Sequence, residues 1–146
     1  MRFEPSQDMR ITLLPEQEEH LCTRETIREV FAKDEAGECM AFDIYDGDVM
    51  VGFGMFCQYP EGTFFLWNYA IDAAYQNRGL GKRALRELLD FMTAHYVVKE
   101  FTTTYVWGND IARRLYESVG FVETDVVEEE DYKEVNMKYT VEATKA

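Results

Sequence analysis

The segment Gln76-Asn77-Arg78-Gly79-Leu80-Gly81-Lys82 joins a predicted strand to a predicted helix. An apolar, aromatic run at 64–71 precedes it and indicates a strand, and an amphipathic pattern over 82–97 follows it and indicates a helix. The backbone N–H groups at a helix start have no intrahelical partners and lie at the positive end of the helix dipole. We therefore expect this loop to bind phosphate oxygens through its main chain.

The side chains of the loop favour the same ligand. Gly79 and Gly81 allow the backbone to turn sharply and to approach a ligand with no Cβ in the way. Arg78, Lys82 and Arg83 supply cationic donors beside those backbone groups. An anion carrying phosphate is therefore the expected ligand.

The charge of the whole chain opposes such a ligand, because 15 basic and 28 acidic residues give a net charge of −13. This balance argues against general nucleic-acid binding, which requires a basic face. The distribution is uneven, however. Residues 78–86 are basic without a single acid, whereas 121–135 are strongly acidic. One part of the fold can therefore attract an anion while another attracts a cation.

Length and composition predict one globular domain over 1–146, with its core at about 9–141 and 47% apolar residues. No apolar run approaches the length of a membrane span, and no secretory signal is recognisable. The three cysteines show no CxxC spacing, and the two histidines, His20 and His95, are isolated. We therefore predict neither a disulfide framework nor a metal site, and expect a reduced, cytoplasmic protein.

The predicted element order is β-α-β-β-β-α-β-α-β-β, a mixed sheet with helices on its faces. A strand at 9–14 leads into a helix that begins at Pro15, extends to about Lys33 and has a weak point near 22–26. A hairpin at 39–57 turns at Asp46-Gly47, and a strand at 63–71 follows. Beyond the second helix we expect a strand at 101–107, a helix from Asn109 to Gly120, and strands at 121–127 and 132–141.

Other interpretations of the glycine loop fit less well. A Walker loop requires Gly at position 76 and Ser or Thr at position 83, where this chain has Gln76 and Arg83. The dinucleotide fingerprint is satisfied in its lenient form by Gly79-x-Gly81-x-x-Ala84. The strands before the loop nevertheless indicate hairpins rather than βαβ units. An ordinary surface turn is the third alternative.

Two distant motifs together resemble the GNAT family of acetyl-CoA-dependent N-acetyltransferases. Gln76-x-x-Gly79-x-Gly81 resembles that family's pyrophosphate motif, and the run 109–121 resembles its N-x-x-A-x-x-L-Y-x-x-x-G-F signature. The resemblance extends over roughly 9–141 and implies an α/β (α+β) fold. Its sheet is expected to be mostly antiparallel, with six or seven strands flanked by three or four helices.

The resemblance also implies a cofactor, acetyl-CoA, and the residues that contact it. Backbone amides over 77–82 are expected to hold the pyrophosphate. The exposed backbone of the preceding strand, with Ala70 and Ile71 as the best candidates, is expected to pair with pantetheine. Asn109, beyond its role as a helix cap, and the small Ala112 are expected near the cofactor. The implied cofactor-binding set is Ala70, Ile71, Gln76, Asn77, Arg78, Gly79, Leu80, Gly81, Lys82, Asn109 and Ala112.

By the same resemblance, Tyr116 is the general acid that protonates the departing thiolate of coenzyme A. A phenol with a pKa of about 10 is protonated at neutral pH and suits this role; a structural tyrosine packed under the sheet is the alternative. Some members of the family carry a catalytic glutamate on the aromatic strand, where this chain has Phe65. Because neither Asn68 nor Tyr69 is a good base, the proton acceptor stays unassigned.

The acceptor is expected to be a small, cationic amine. Trp67, Tyr69 and the acidic loop at 125–131 attract ammonium groups, although such a loop is also typical of a solvated hairpin tip. Residues 66–139 are most similar to small bacterial polyamine-type acetyltransferases; aminoglycosides and peptide N-termini need similar electrostatics. A non-catalytic acyl-CoA sensor and a dinucleotide-binding domain are the alternative functions. We expect no nucleic-acid or membrane partner, and a homodimer is compatible with the sequence.

Overall fold

The computed structural model describes residues 1–18, 21 and 23–141 and contains one seven-stranded sheet. The strands are β1 (Arg2–Ser6), β2 (Cys39–Asp46), β3 (Val49–Gln58), β4 (Thr63–Ile71), β5 (Glu100–Val106), β6 (Val122–Glu128) and β7 (Lys133–Thr140). The helices are α1 (Pro15–Glu18), α2 (Arg24–Lys33), α3 (Leu80–His95) and α4 (Asp110–Val119), with a short 3₁₀ turn at Ala73–Tyr75. This confirms the predicted fold class.

The sheet changes its pairing at the β4–β5 boundary. The strand order is β1-β2-β3-β4-β5-β7-β6, and every neighbouring pair is antiparallel except β4–β5. That parallel pair joins only Thr63–Phe65 with Glu100–Thr102. Both strands continue for several residues past this point without pairing to each other. A gap therefore opens between them toward their C-terminal ends.

Each face of the sheet has its own apolar core. On one face, Leu66, Tyr69 and Ile71 of β4 pack with the buried leucines of α3. On the other face, Ala70 of β4 packs with Ile27 of α2. The β3–β4 register shifts where Phe56 pairs with Leu66 and Met55 pairs with Asn68, so that Trp67 is the extra residue of a β-bulge. The bulge determines which face each following residue occupies.

The first part of the chain differs most from the prediction. Residues 9–14 form no strand; Met9 and Ile11 are nevertheless buried in the core that includes Ile27. The strand is instead β1, which pairs with β2 at the edge of the sheet. The predicted long helix is divided into α1 and α2, and Thr23 caps α2 by accepting a hydrogen bond from the Thr26 amide. The break lies close to the weak point in the sequence pattern.

The prediction that the cysteines are reduced is wrong for one pair. Cys39 and Cys57 form a disulfide between β2 and β3, with their Cα atoms 4.1 Å apart. They face each other directly in the antiparallel register, which brings side chains of neighbouring strands close enough to bond. Their separation of 18 residues gives no motif in the sequence. His20 and Cys22 lie outside the described residues.

Candidate active site

The glycine loop leads into the first turn of α3 as the sequence predicts, although the helix begins at Leu80 rather than Lys82. Gly79 adopts a left-handed conformation (φ 74°) at the N-cap and has no side chain to cap the helix. Asn77, at φ 62°, is also left-handed. The amides of Leu80, Gly81 and Lys82 therefore form an uncapped helix start suited to an anion.

Gly81 leaves space beside this turn. A Cβ at Gly81 would lie 3.9 Å from Ile71 Cγ1 and 4.0 Å from Leu115 Cδ1, which are ordinary contact distances. It would project between the end of β4 and α4. Gly81 therefore lies where α3, the end of β4 and α4 meet, with room there for a small side chain only.

The cations near the loop are not equivalent. Arg83 binds Glu87 at 3.0 Å and lies 4.0 Å from Asp46. Arg86 donates to the carbonyl of Ser118 at 3.1 Å. Within the described residues, Arg78 and Lys82 form no ion pair, and the Arg78 guanidinium lies 5.6 Å from the ring centroid of Tyr75. Arg78 and Lys82 are therefore the cations left for a ligand.

Gln76 supports the loop rather than pointing its amide into open space. Its Nε2 donates to the carbonyl oxygen of Ile71 at 3.1 Å, and Gln17 Nε2 donates to the same oxygen at 3.2 Å. These bonds fix the C-terminal end of β4 to the start of the loop. A ligand contact of Gln76 stays a prediction.

Of the two residues predicted to turn their backbone toward the gap, only Ile71 does so. The Asp72 amide donates to Val51 of β3 at 2.8 Å, and the carbonyl of Ala70 faces β3, 2.8 Å from where a Cβ of Gly52 would lie. Backbone groups alternate in direction along a strand. Ile71 and Tyr69 therefore face the gap, and Ala70 does not, which corrects its assignment as a pairing partner.

Tyr116 packs against the core beneath α3 and is a neighbour of Thr103, the first residue of β5 beyond its pairing with β4. Thr103 Oγ1 donates to the carbonyl of Leu66 on β4 at 3.0 Å. The Tyr116 ring packs edge-on against Phe121, with centroids 5.6 Å apart. Burial raises the pKa of Tyr116 above its usual value, an effect that Thr103 partly opposes. Tyr116 is therefore protonated at neutral pH.

The predicted aromatic pair of Trp67 and Tyr69 is not formed. Trp67 packs with the core that includes Ile27, whereas Tyr69 belongs to the core beneath α3. The Tyr69 hydroxyl donates to the Gly81 carbonyl at 2.6 Å. Burial, and then the nearby Tyr116, raise the pKa of Tyr69. The bulge therefore places Trp67 and Tyr69 on opposite faces, and a contact of either residue with the acceptor stays a prediction.

The start of α4 confirms one predicted role of Asn109. Its Oδ1 accepts a hydrogen bond from the Ala112 amide at 3.3 Å, as an N-cap does. Ala112 is partly buried against the core beneath α3. Contacts of Asn109 and Ala112 with a cofactor stay predictions.

The acidic loop between β6 and β7 is largely solvated. Glu129, Glu130 and Asp131 are exposed. Lys133 is 3.8 Å from Glu128 and also lies 3.8 Å above the ring of Trp107. The loop is therefore a solvated hairpin tip, and Lys133 is the cation that lies beside it.

Two general features complete the description of the site. Among the described residues, no three His, Cys, Asp or Glu side chains are placed to share a metal ion. None of the described helices combines the length and apolar character of a membrane span.

Three raised tyrosine pKa values predict a loss of stability in alkali. Burial and then a 2.6 Å hydrogen bond to Glu123 raise the pKa of Tyr105 to about 12, and the pKa values of Tyr69 and Tyr116 are also raised. The native state therefore binds more protons than the unfolded state above about pH 10. The free energy of unfolding, measured by urea titration, is expected to fall as the pH rises from 10 to 12. Tyr105→Phe should lessen this fall, whereas Tyr59→Phe, at an 81% exposed residue, should not. A pH-independent free energy over this range would contradict the assignment.

Comparison with known proteins identifies a family whose match covers the residues of this site. The family model described as "Acetyltransferase (GNAT) family" matches residues 6–121. The chain belongs to the GNAT acetyltransferase family. The match includes the glycine loop, the gap between β4 and β5, and Tyr116.

Among curated GNAT proteins, the chain is similar to spermine/spermidine N(1)-acetyltransferase of Bacillus subtilis, with 33% identity over 99 residues. That match covers 60% of this chain and 64% of the relative. The chain is also 45% identical over 62 residues to N-alpha-acetyltransferase RimI of Mycobacterium tuberculosis, covering 42% of this chain and 37% of the relative. The chain thus matches less than two thirds of either relative's length.

A solved GNAT structure has the same fold. Spermidine N-acetyltransferase from Vibrio cholerae, in complex with CoA and spermine, superimposes with a TM-score of 0.69 at 18% identity. The superposition covers 82% of this chain and 76% of the other. At this identity the similarity concerns the fold alone.

Sequence reasoning missed Thr103 as a neighbour of Tyr116. Thr103 is 2% exposed and lies at the first position of β5 beyond its pairing with β4. In the sequence it is the middle of three consecutive threonines. Only alternation with the apolar Phe101 and Tyr105 would place it on the face beneath α4.

Proposed function

We propose that this protein is an enzyme that transfers the acetyl group of acetyl-CoA directly to the nitrogen of a small amine. The observation that carries the proposal is the uncapped start of α3 after the end of β4, on the side where β4 separates from β5 and where Tyr116 of α4 packs against the same core. The residues fit the cofactor: the amides of 80–82 suit its pyrophosphate, and the backbone of Tyr69 and the N–H of Ile71 suit its pantetheine amides. The Ile71 carbonyl already accepts from Gln17 and Gln76.

The chemistry requires no covalent intermediate on the enzyme. The free amine forms a C–N bond with the thioester carbonyl, and the C–S bond breaks with its electron pair moving to sulfur. Tyr116 donates its proton to that sulfur, which leaves as a thiol. The amine loses a proton to water, and the phenolate of Tyr116 takes one back from water. The products are an acetamide, free coenzyme A and one proton from the original ammonium.

We further propose a cationic acceptor of the polyamine class. The net charge of −13 favours cations. Trp67 lies on the face opposite α3 and is only partly buried there, so its ring is available to an ammonium group. The relative in Bacillus subtilis is named for spermine and spermidine, whereas the mycobacterial relative is named for an N-alpha amine. A peptide N-terminus is therefore the competing acceptor.

A turnover screen with acetyl-CoA tests both proposals. Release of free thiol is measured with spermidine, spermine, an aminoglycoside, peptides and a neutral amine as acceptors. Preference for the polyamines supports the proposed acceptor, and preference for peptides supports the competitor. Turnover confined to uncharged or anionic amines would contradict the cationic acceptor, and no turnover with any amine would contradict the enzyme.

A non-catalytic acyl-CoA sensor is the second candidate function. It is favoured by one observation: no residue of β4, Thr63–Ile71, has an acidic or histidine side chain that would deprotonate the amine. Under this alternative acetyl-CoA binds with a measurable heat, but thiol release stays at the uncatalysed rate. Calorimetry and the turnover screen together distinguish the two.

The cellular setting belongs to the same proposal. We propose a single acetyltransferase domain over 1–146 in the cytoplasm, where acetyl-CoA is available, with no nucleic-acid partner. The exposed edge strand β6 allows a homodimer by sheet continuation, for which sedimentation velocity is the test. Cell fractionation tests the location.

The free cations of the loop should contribute to cofactor affinity. Lys82→Gln and Arg78→Gln are expected to weaken acetyl-CoA binding about fivefold each at low ionic strength. The effect should shrink at 0.5 M salt, where charges are screened. Arg83→Gln is the matched control, because Glu87 and Asp46 already engage its guanidinium, and it should cost less. Calorimetric titration measures all three; equal losses at both salt concentrations would contradict an electrostatic role.

A further inference from the structure

The carbonyl oxygen of Ile71, at the end of β4, accepts hydrogen bonds from two glutamines. Gln17 Nε2 donates to it at 3.2 Å, and Gln76 Nε2 donates to it at 3.1 Å. A carbonyl oxygen has two lone pairs, so these two bonds saturate it. Because the backbone of Ile71 faces the gap between β4 and β5, both side-chain amides lie on the gap side of β4. Two distant parts of the chain therefore meet at the edge that we propose for the cofactor.

The two glutamines approach this oxygen from different sides of the site. Gln76 belongs to the glycine loop that leads into α3, whereas Gln17 belongs to α1. Leu13, which comes just before α1, packs against the core on the face opposite α3. Trp67, which we propose as a contact of the amine, packs against the same core. Gln17 therefore joins the face proposed for the amine to the edge proposed for the cofactor.

The chain just before α1 is fixed to the same end of β4. The Thr12 amide donates to Asp72 Oδ2 at 2.9 Å, and the Ala73 amide donates to the Thr12 carbonyl at 2.8 Å. These bonds hold the segment before α1 beside the first residues that follow β4. They do not involve α1 itself, whose bond to β4 comes from the side chain of Gln17.

The bonds of the Gln17 side chain distinguish its role from that of a helix cap. Its Oε1 accepts from the Leu14 amide at 2.7 Å, and the Leu14 carbonyl accepts from the Gln17 amide at 2.9 Å. This reciprocal pair closes the first turn of α1, as the third residue of a helix often does. A glutamate would close it equally well, and its charge would suit a helix start. A glutamate has no hydrogen to donate to Ile71, however, so the bond to β4 is what requires the amide.

We propose that Gln17 is a positioning residue, which holds α1 against the end of β4 so that the acceptor amine binds within reach of the thioester. The inference rests on the proposed function, in which the amine binds on the face of Trp67 and acetyl-CoA binds along β4. Gln17 takes no part in bond making or proton transfer. Loss of its bond to Ile71 weakens binding of the amine, whereas the cofactor keeps the amides of 80–82 and the backbone of β4.

Two substitutions separate the bond to β4 from the helix cap. Gln17→Met removes both hydrogen bonds of the side chain, whereas Gln17→Glu keeps the bond to Leu14 and places an oxygen against the Ile71 carbonyl. Both are expected to raise the KM for the amine about fivefold, the cost of one hydrogen bond, with kcat unchanged. Thiol release is measured with spermidine, or with a peptide if the turnover screen prefers it, at 0.5 M salt, where the added carboxylate is screened. The Kd for acetyl-CoA, measured by calorimetry, should stay unchanged.

Gln76→Met is the matched comparison, because it removes the other bond to the same oxygen from the cofactor side. It should weaken acetyl-CoA binding more than it changes the KM for the amine. A rise in KM in Gln17→Met alone confines Gln17 to capping α1 and overturns the inference, as does an unchanged KM in both variants. An equal rise in Gln76→Met also overturns it, because the oxygen rather than α1 would then matter. Wild-type protein without turnover of any amine overturns the proposed function, and this inference with it.

Discussion

Replacing Tyr116 by Phe should lower kcat by about 10²- to 10⁴-fold, the usual contribution of a positioned general acid. The phenyl ring keeps its contact with Phe121, so the fold and the Kd for acetyl-CoA should not change. The raised pKa keeps the wild-type phenol protonated beyond its usual range. Ionisation of Tyr116 should therefore not reduce wild-type kcat below about pH 10.

Stopped-flow or steady-state thiol release measures the loss, and calorimetry measures cofactor binding. Tyr139→Phe is the matched control, because that ring packs against Phe101 and Phe121 at distances of 6.1 and 5.8 Å between centroids, away from the gap. A full kcat in Tyr116→Phe would show that Tyr116 is a structural residue. A comparable loss in Tyr139→Phe would show that any altered tyrosine in this core disturbs the enzyme.

Replacing Gly81 by Leu should weaken acetyl-CoA binding about 100-fold. A Cβ at this position would already contact Ile71 and Leu115 at 3.9 and 4.0 Å, so the longer side chain should push the first turn of α3 away from β4 and α4. The displaced turn should lose at least one amide-to-phosphate bond, each worth about 1.5–3 kcal/mol. The same overpacking should lower the free energy of unfolding by about 1–3 kcal/mol, so affinity is measured at a temperature where both proteins are folded.

Calorimetry and thermal unfolding check this prediction. Ala94→Leu is the control on the same helix, because Ala94 is exposed and lies near the C-terminal end of α3. Gly81→Ala should have an intermediate effect on affinity. Undiminished affinity in Gly81→Leu would mean that the ligand does not approach the first turn of α3.

Local signals in the sequence were sufficient for the second half of the fold. Asn109 and Gly120 mark the two ends of α4, because an amide side chain caps the first turn and a glycine at φ 117° ends the last. The glycines of the loop likewise indicate a helix that begins without a side-chain cap, as α3 does. These features depend on residues that are close together in the chain, so they can be predicted from the sequence alone.

The first strand and the bulge depend on distant partners instead. Arg2–Ser6 becomes a strand only by pairing with β2. The apolar residues Met9 and Ile11, which suggested a strand, are instead buried in a core without forming one. Trp67 and Tyr69 are two residues apart and should share a face, but one extra residue relative to β3 separates them. Such effects of tertiary pairing leave no periodic signal in a single chain.

The separate cores on the two faces of the sheet have an evolutionary consequence. Substitutions among Ile27, Trp67 and their neighbours can remodel the face that we propose for the amine, while α3 and Tyr116 keep their own packing. Mutations on opposite sides of a sheet act nearly additively when they share no contact. One lineage can therefore acquire new acceptors stepwise without rebuilding its acetyl-donor side.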